Sequence, residues 1–201
     1  RYISEYPESP RVEEARKYLV SAYYNSKNYD AAYAAIKQIK DPDNNIRTAL
    51  QKVTYFRALE YYNSGDLDKA MSMLNESYAN RFNAKYTALT QFWKGEVNYQ
   101  KSNYKAAIPL YKEYITLSPD SEPEHKMALY NLGYSYFNQK QWGDAKTYFD
   151  RFLRVYQSQD TYRADALNRV GDVQYANREF WKAIESYDAS MKLNTDLKYY
   201  S

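Results

Sequence analysis

An alanine returns along the chain at nearly constant spacing: Ala32, Ala70, Ala107, Ala145 and Ala183 stand 38, 37, 38 and 38 residues apart. A unit of that size cannot bury a core alone, so a period kept this regularly demands a stack of like units that lean on one another. The residue types around each Ala repeat as well. Three residues before it stands a large apolar side chain (Tyr29, Leu67, Tyr104, Trp142, Phe180), and four after it another (Ile36, Leu74, Tyr111, Phe149, Tyr187). Twelve residues before it comes a small residue, or Val in the first copy: Val20, Ala58, Gly95, Gly133, Gly171. Four residues beyond that slot every copy has an aromatic, namely Tyr24, Tyr62, Tyr99, Phe137 and Tyr175.

Spacings of three, four and seven place these positions on one stripe of a helix, with the small slots as points of close helix approach. Each period therefore reads as two helices. The first begins near Glu13, Gln51, Ala88, Lys126 and Ala164 and runs for roughly 14 residues, about 21 Å. The polar turns Ser26-Lys27-Asn28, Ser64-Gly65-Asp66, Lys101-Ser102-Asn103, Gln139-Lys140-Gln141 and Asn177-Arg178-Glu179 follow. The second helix starts at the large residue before the Ala and ends near Asp41-Pro42, Pro119 and their equivalents.

The expected layout is the end of a preceding repeat over 1–12, repeats over 13–50, 51–87, 88–125 and 126–163, and a fifth over 164–201 that includes the start of another. Arg1–Tyr6 has the form of Arg151–Tyr156, and Asp196–Ser201 falls where the loop into a further repeat belongs. The whole chain thus reads as one array excised from a longer one, with apolar faces open at both ends and end-to-end self-association expected from them. The core must be unusual. Leu, Ile, Val and Phe are scarce while Tyr, at 26, is the commonest residue, so rings pack against the methyl groups of the Ala column.

Several function classes fall away on residue counts. With no Cys there is no disulfide, thiol nucleophile or thiolate metal site, and with the single His125 there is no catalytic triad and no two-His metal motif. The five Gly all occupy repeat positions or turns, which leaves no Gly-rich phosphate loop. Acids such as Glu13-Glu14 read as solvated helix faces, and His125 reads as an exposed residue of an inter-repeat loop. No catalytic residue, cofactor or metal is expected. A net charge of +3 is too small for a nucleic-acid footprint, and the longest run without a charged residue, Met127–Gln139, is too short to enter a bilayer.

Leu132-Gly133 followed by Tyr136, Ala145 and Phe149, with Pro119 closing the copy before, resembles the tetratricopeptide repeat. The resemblance covers all five copies. It implies an all-α, right-handed superhelical solenoid of helix-turn-helix units, and a non-catalytic scaffold that binds an extended peptide or partner helix of another protein in a concave groove. The period exceeds the family's usual value of about 34, through segments such as Glu122-Pro123-Glu124-His125 and Asp160-Thr161-Tyr162-Arg163. These loops, with Tyr6-Pro7-Glu8-Ser9, resemble bacterial envelope members of the family associated with outer-membrane assembly and the Tol–Pal system, which implies a periplasmic or envelope location. The carboxylate clamp of some members is not matched, since Lys17, Ser21, Phe56, Leu89 and Trp93 supply one of its five residue types.

In the family the first helices line the groove, so the resemblance puts Tyr24, Tyr62, Tyr99, Phe137 and Tyr175 at or beside it, flanked by Tyr55, Phe92 and Tyr130. Rings with polar tips suit recognition of an extended chain, because they bring large apolar area at small entropic cost. The same slots also serve packing, and the sequence leaves the two roles open. Glycan or cell-wall binding through exposed aromatics is the alternative function.

Overall fold

The computed structural model describes residues 2–193, and these form eleven α-helices with no strand among the described residues. They are α1 (Tyr2–Glu5), α2 (Val12–Asn25), α3 (Tyr29–Lys37), α4 (Asn44–Asn63), α5 (Leu67–Ala79), α6 (Ala84–Gln100), α7 (Tyr104–Leu117), α8 (Pro123–Asn138), α9 (Trp142–Val155), α10 (Thr161–Ala176) and α11 (Phe180–Leu193). The chain divides into two compact units, Arg1–Val97 and Asn98–Ser201. In the first, α1 packs on α2, α2 on α3, α3 on α4 and α4 on α5; in the second, α7 packs on α8, α8 on α9, α9 on α10 and α10 on α11. The expected start of a sixth repeat, Asp196–Ser201, lies outside the described residues.

The five alanines of the repeat are its most deeply buried column, each at 0% exposure except Ala183 at 1%. Their neighbours four residues on, Ile36, Leu74, Tyr111 and Phe149, are buried with them, and Tyr187 is half-buried. Every second helix starts at the large residue three before the Ala, as the pattern predicts.

First helices begin earlier than predicted, and the caps explain it. Asp43 accepts a hydrogen bond from the Ile46 amide at 2.9 Å and starts α4 at Asn44, seven residues before Gln51. Pro123 opens α8, because a residue with fixed φ and no amide hydrogen suits a helix's first turn. That early start overturns the loop reading of His125. It lies inside α8 at 2% exposure, a core residue rather than a surface one.

Buried polar groups hold the residues that lengthen the period. Gln51, at 0% exposure, donates through Nε2 to the Asn83 carbonyl and accepts at Oε1 from the Phe82 and Asn83 amides, which fastens the segment between α5 and α6 onto α4. Ser77 donates to the Gln51 carbonyl, and Ser190 makes the same bond to the Ala164 carbonyl three repeats later. Between α9 and α10, Asp160 caps the Tyr162 and Arg163 amides while the Arg163 guanidinium donates to the Leu153 and Tyr156 carbonyls.

Candidate functional site

The aromatic column sits at the C-terminal end of each first helix, where the chain is about to turn. In four copies its ring meets, edge-on, the large residue that opens the second helix: Tyr24–Tyr29 at 6.1 Å, Tyr99–Tyr104 at 5.4 Å, Phe137–Trp142 at 5.1 Å and Tyr175–Phe180 at 5.4 Å. Such edge-to-face pairs contribute about 0.5–1.5 kcal/mol beyond area burial. In the second copy Leu67 stands at that place, and Tyr62 meets Trp93 of α6 instead, at 5.0 Å. The column is thus first of all a staple across the turn, and pairing the two aromatic columns in the sequence was signal enough to find it.

Its members still differ in exposure. Tyr24, Tyr62, Tyr99 and Phe137 are half-buried, and Tyr175 is 62% exposed. The proposed flank behaves otherwise. Tyr55 and Phe92 are each 5% exposed and belong to the core, with the Tyr55 hydroxyl accepting from Trp93 Nε1 at 3.1 Å. They have no surface to offer a partner, because α4 and α6 bring them against Phe56, Tyr86 and Trp93. Tyr130 is half-buried and donates to Asp165 of α10 at 2.7 Å, and Tyr134 donates to the same carboxylate. Burial, more than any charge, raises both phenols well above the ordinary value. Arg169 completes this cluster, pairing with Asp172 at 2.7 Å and lying over the Phe137 ring at 5.6 Å.

Tyr24 lines an open cleft of about 280 Å³ with Asn45, Thr48, Ala49 and Lys52, between α2 and α4. The spacing of those four residues makes them one face of the first turns of α4, and starting the helix at Gln51 leaves out the first three of them. The cleft offers a ring, an exposed amide, a hydroxyl and an ammonium. Burial, assisted by Tyr86, pushes the Tyr24 phenol up to about 12, so it stays a neutral donor throughout the physiological range. Among the described residues no three His, Cys, Asp or Glu side chains converge as metal ligands do, and no helix is long and apolar enough to cross a membrane.

Residues 55–122 and residues 127–158 each match a family model described as tetratricopeptide repeat. Over those two stretches the chain carries tetratricopeptide repeats. No curated protein matches it by sequence. Among solved structures it is similar to MamA from Desulfovibrio magneticus RS-1, residues 41 to the end, with a TM-score of 0.61 at 15% identity over 92% of this chain and 97% of that one. It is also similar to BtubC (BKLC) from P. vanneervenii, with a TM-score of 0.65 at 15% identity over 92% and 81%. At that identity the tetratricopeptide array shares their fold. Repeats of this family mediate protein–protein interaction and are typically non-catalytic.

Proposed function

We propose that the protein is a non-catalytic scaffold that holds an extended peptide segment or a helix of another protein against its first helices. The cleft beside Tyr24 carries the reading: Asn45 and Thr48 supply the paired donor and acceptor that a peptide backbone needs, and Tyr24 and Lys52 supply a ring and a charge for side chains. Tyr62, Tyr99, Phe137 and Tyr175 are the further contact candidates, by position at the ends of their first helices. Apolar side chains exposed on α11, Trp181 at 82% and Ile184 at 49%, support self-association through that end, which sedimentation velocity checks. The long inter-repeat loops support a bacterial envelope setting, which cell fractionation checks.

The direct test is selection of peptides displayed on phage against the folded chain, followed by calorimetry with Asn45→Ala and Lys52→Ala. Each variant should weaken the selected peptide about tenfold and leave the urea midpoint unchanged. Unchanged affinity in both variants removes the cleft from the binding surface, and selective capture of cell-wall oligosaccharide in place of peptide favours the glycan alternative.

A further inference from the structure

A second cleft, away from the first-helix turns, breaks the pattern of the repeats. It has a volume of about 250 Å³, opens to solvent, and is lined by Asp120 from the loop before α8, His125 and Leu129 of α8, and Arg151, Arg154 and Val155 of α9. The His125 imidazole is buried, its Nε2 lies 3.3 Å from Asp120 Oδ1, and its Nδ1 has no hydrogen-bond partner among the described residues. Burial keeps the ring below its ordinary value; Asp120 opposes that and Arg151 adds to it. The ring is therefore neutral near pH 7, and the cleft carries two positive charges and one negative.

Neither guanidinium is used up by the fold. Arg151 lies over the Tyr148 ring at 5.3 Å, which orients it without neutralising it. Arg154 donates through Nε to the Asp150 carbonyl at 3.3 Å. Among the described residues neither takes part in an ion pair. The repeat itself supplies the control for architecture. The place of Arg151 is taken by Gln38, Glu76, Glu113 and Ala189 in the other copies, and that of His125 by Val12, Leu50, Thr87 and Arg163. Helix packing does not require this set, since four copies pack without it.

We propose that this cleft is a recognition site for a single carboxylate of a partner polypeptide, gripped by Arg151 and Arg154 with its apolar stem on Leu129 and Val155. The inference deepens the scaffold reading and rests on it, because it names a chemistry that the bound protein carries. Charge selects the ligand class: one net positive charge balances a carboxylate, whereas a phosphate group, at about −1.5 to −2, overshoots it. Planar guanidinium forks suit a carboxylate's two oxygens. The carboxylate belongs to an acidic side chain or to a chain terminus, which share this chemistry.

His125 is the sole histidine, so its imidazole NMR signals report on this cleft alone. The full chain is titrated with an acetylated, amidated tripeptide bearing a central glutamate, its glutamine counterpart, a tripeptide with a free C-terminal leucine, and inorganic phosphate. A saturable shift with either carboxylate peptide and none with glutamine supports the site, and the tighter of the two names the source. Arg151→Gln and Arg154→Gln should each weaken that binding about tenfold while the helical circular dichroism stays intact. Equal response to glutamate and glutamine, tighter binding of phosphate, or indifference to both Arg variants overturns it. Unchanged affinity of the display-selected peptide in Asn45→Ala, with the His125 response kept, marks failure of the cleft beside Tyr24 alone; loss of that peptide in Asn45→Ala, with no carboxylate response at His125, marks failure of this site alone.

Discussion

An added Cβ at Gly133 stands 2.7 Å from the Phe149 ring, and one at Gly171 stands 2.6 Å from the ring of Tyr187. The two columns are complementary in size: where the slot is Gly, the residue four after the Ala is aromatic, and where it is Val20 or Ala58, that residue is Ile36 or Leu74. Gly133→Ala should therefore lower the unfolding free energy by about 1–3 kcal/mol in urea denaturation, because Phe149 is fully buried and cannot swing away. Adding Phe149→Leu, which recreates the second copy's pairing, should recover part of that loss; a double variant weaker than either single one would refute the pairing. His125 gives a second residue-scale expectation. Its folded-state pKa is lowered by burial, so the unfolded chain takes up the proton first as pH falls. Its contribution is complete above the unfolded value of about 6.5 and declines below it. Urea midpoints measured at about pH 7.5 and about pH 5.5 should fall more in the wild type than in His125→Leu.

At the scale of elements, the five turns share one backbone feature that their side chains conceal. The residue five before each Ala has positive φ: Lys27 at 58°, Gly65 at 82°, Ser102 at 57°, Lys140 at 59° and Arg178 at 62°. A side chain there costs about 1–2 kcal/mol, against the roughly 0.5–1 kcal/mol that Gly loses in chain entropy. Lys140→Gly should thus gain up to about 1 kcal/mol and Gly65→Ala should lose about as much, both read from thermal or urea unfolding. Opposite signs would mean that the following caps, Asn28 on the Ala31 amide and Asp66 on that of Lys69, determine the turn by themselves. With Gly in one copy of five, the sequence shows polar turns and hides their handedness. Helix starts are similarly half-hidden, since Asp43 and Pro123 are recognisable caps that the repeat period alone passes over.

Across the whole molecule, tyrosine does the work that aliphatic residues do in most cores, and alkali should expose this. Burial raises the phenols of Tyr24, Tyr114 and Tyr187 to about 12, and those of Tyr130 and Tyr134 further. The unfolded chain loses these protons near pH 10, so stability is full below that value and falls as pH rises beyond it. Tyrosinate absorbance should rise in two stages, the second coinciding with loss of helical ellipticity. A single stage near pH 10, with the helices intact, would show that the phenols reach solvent in the folded protein.

The two helices of each period, their order and the Ala column that packs them follow from the sequence by itself, because each is a local rule repeated five times and noise in one copy is averaged by the others. Tertiary structure decided what occurs once. His125 became a core residue when Pro123 advanced the start of α8, and Tyr55 was drawn inward against Tyr86 and Trp93 of α6. The two clefts arise from such singular placements: α4 begins early beside Tyr24, and Arg151 and Arg154 stand where other copies have different side chains. A repeat determines what its copies share. Recognition depends on where they differ, and those differences acquire a geometry only when distant residues are packed side by side.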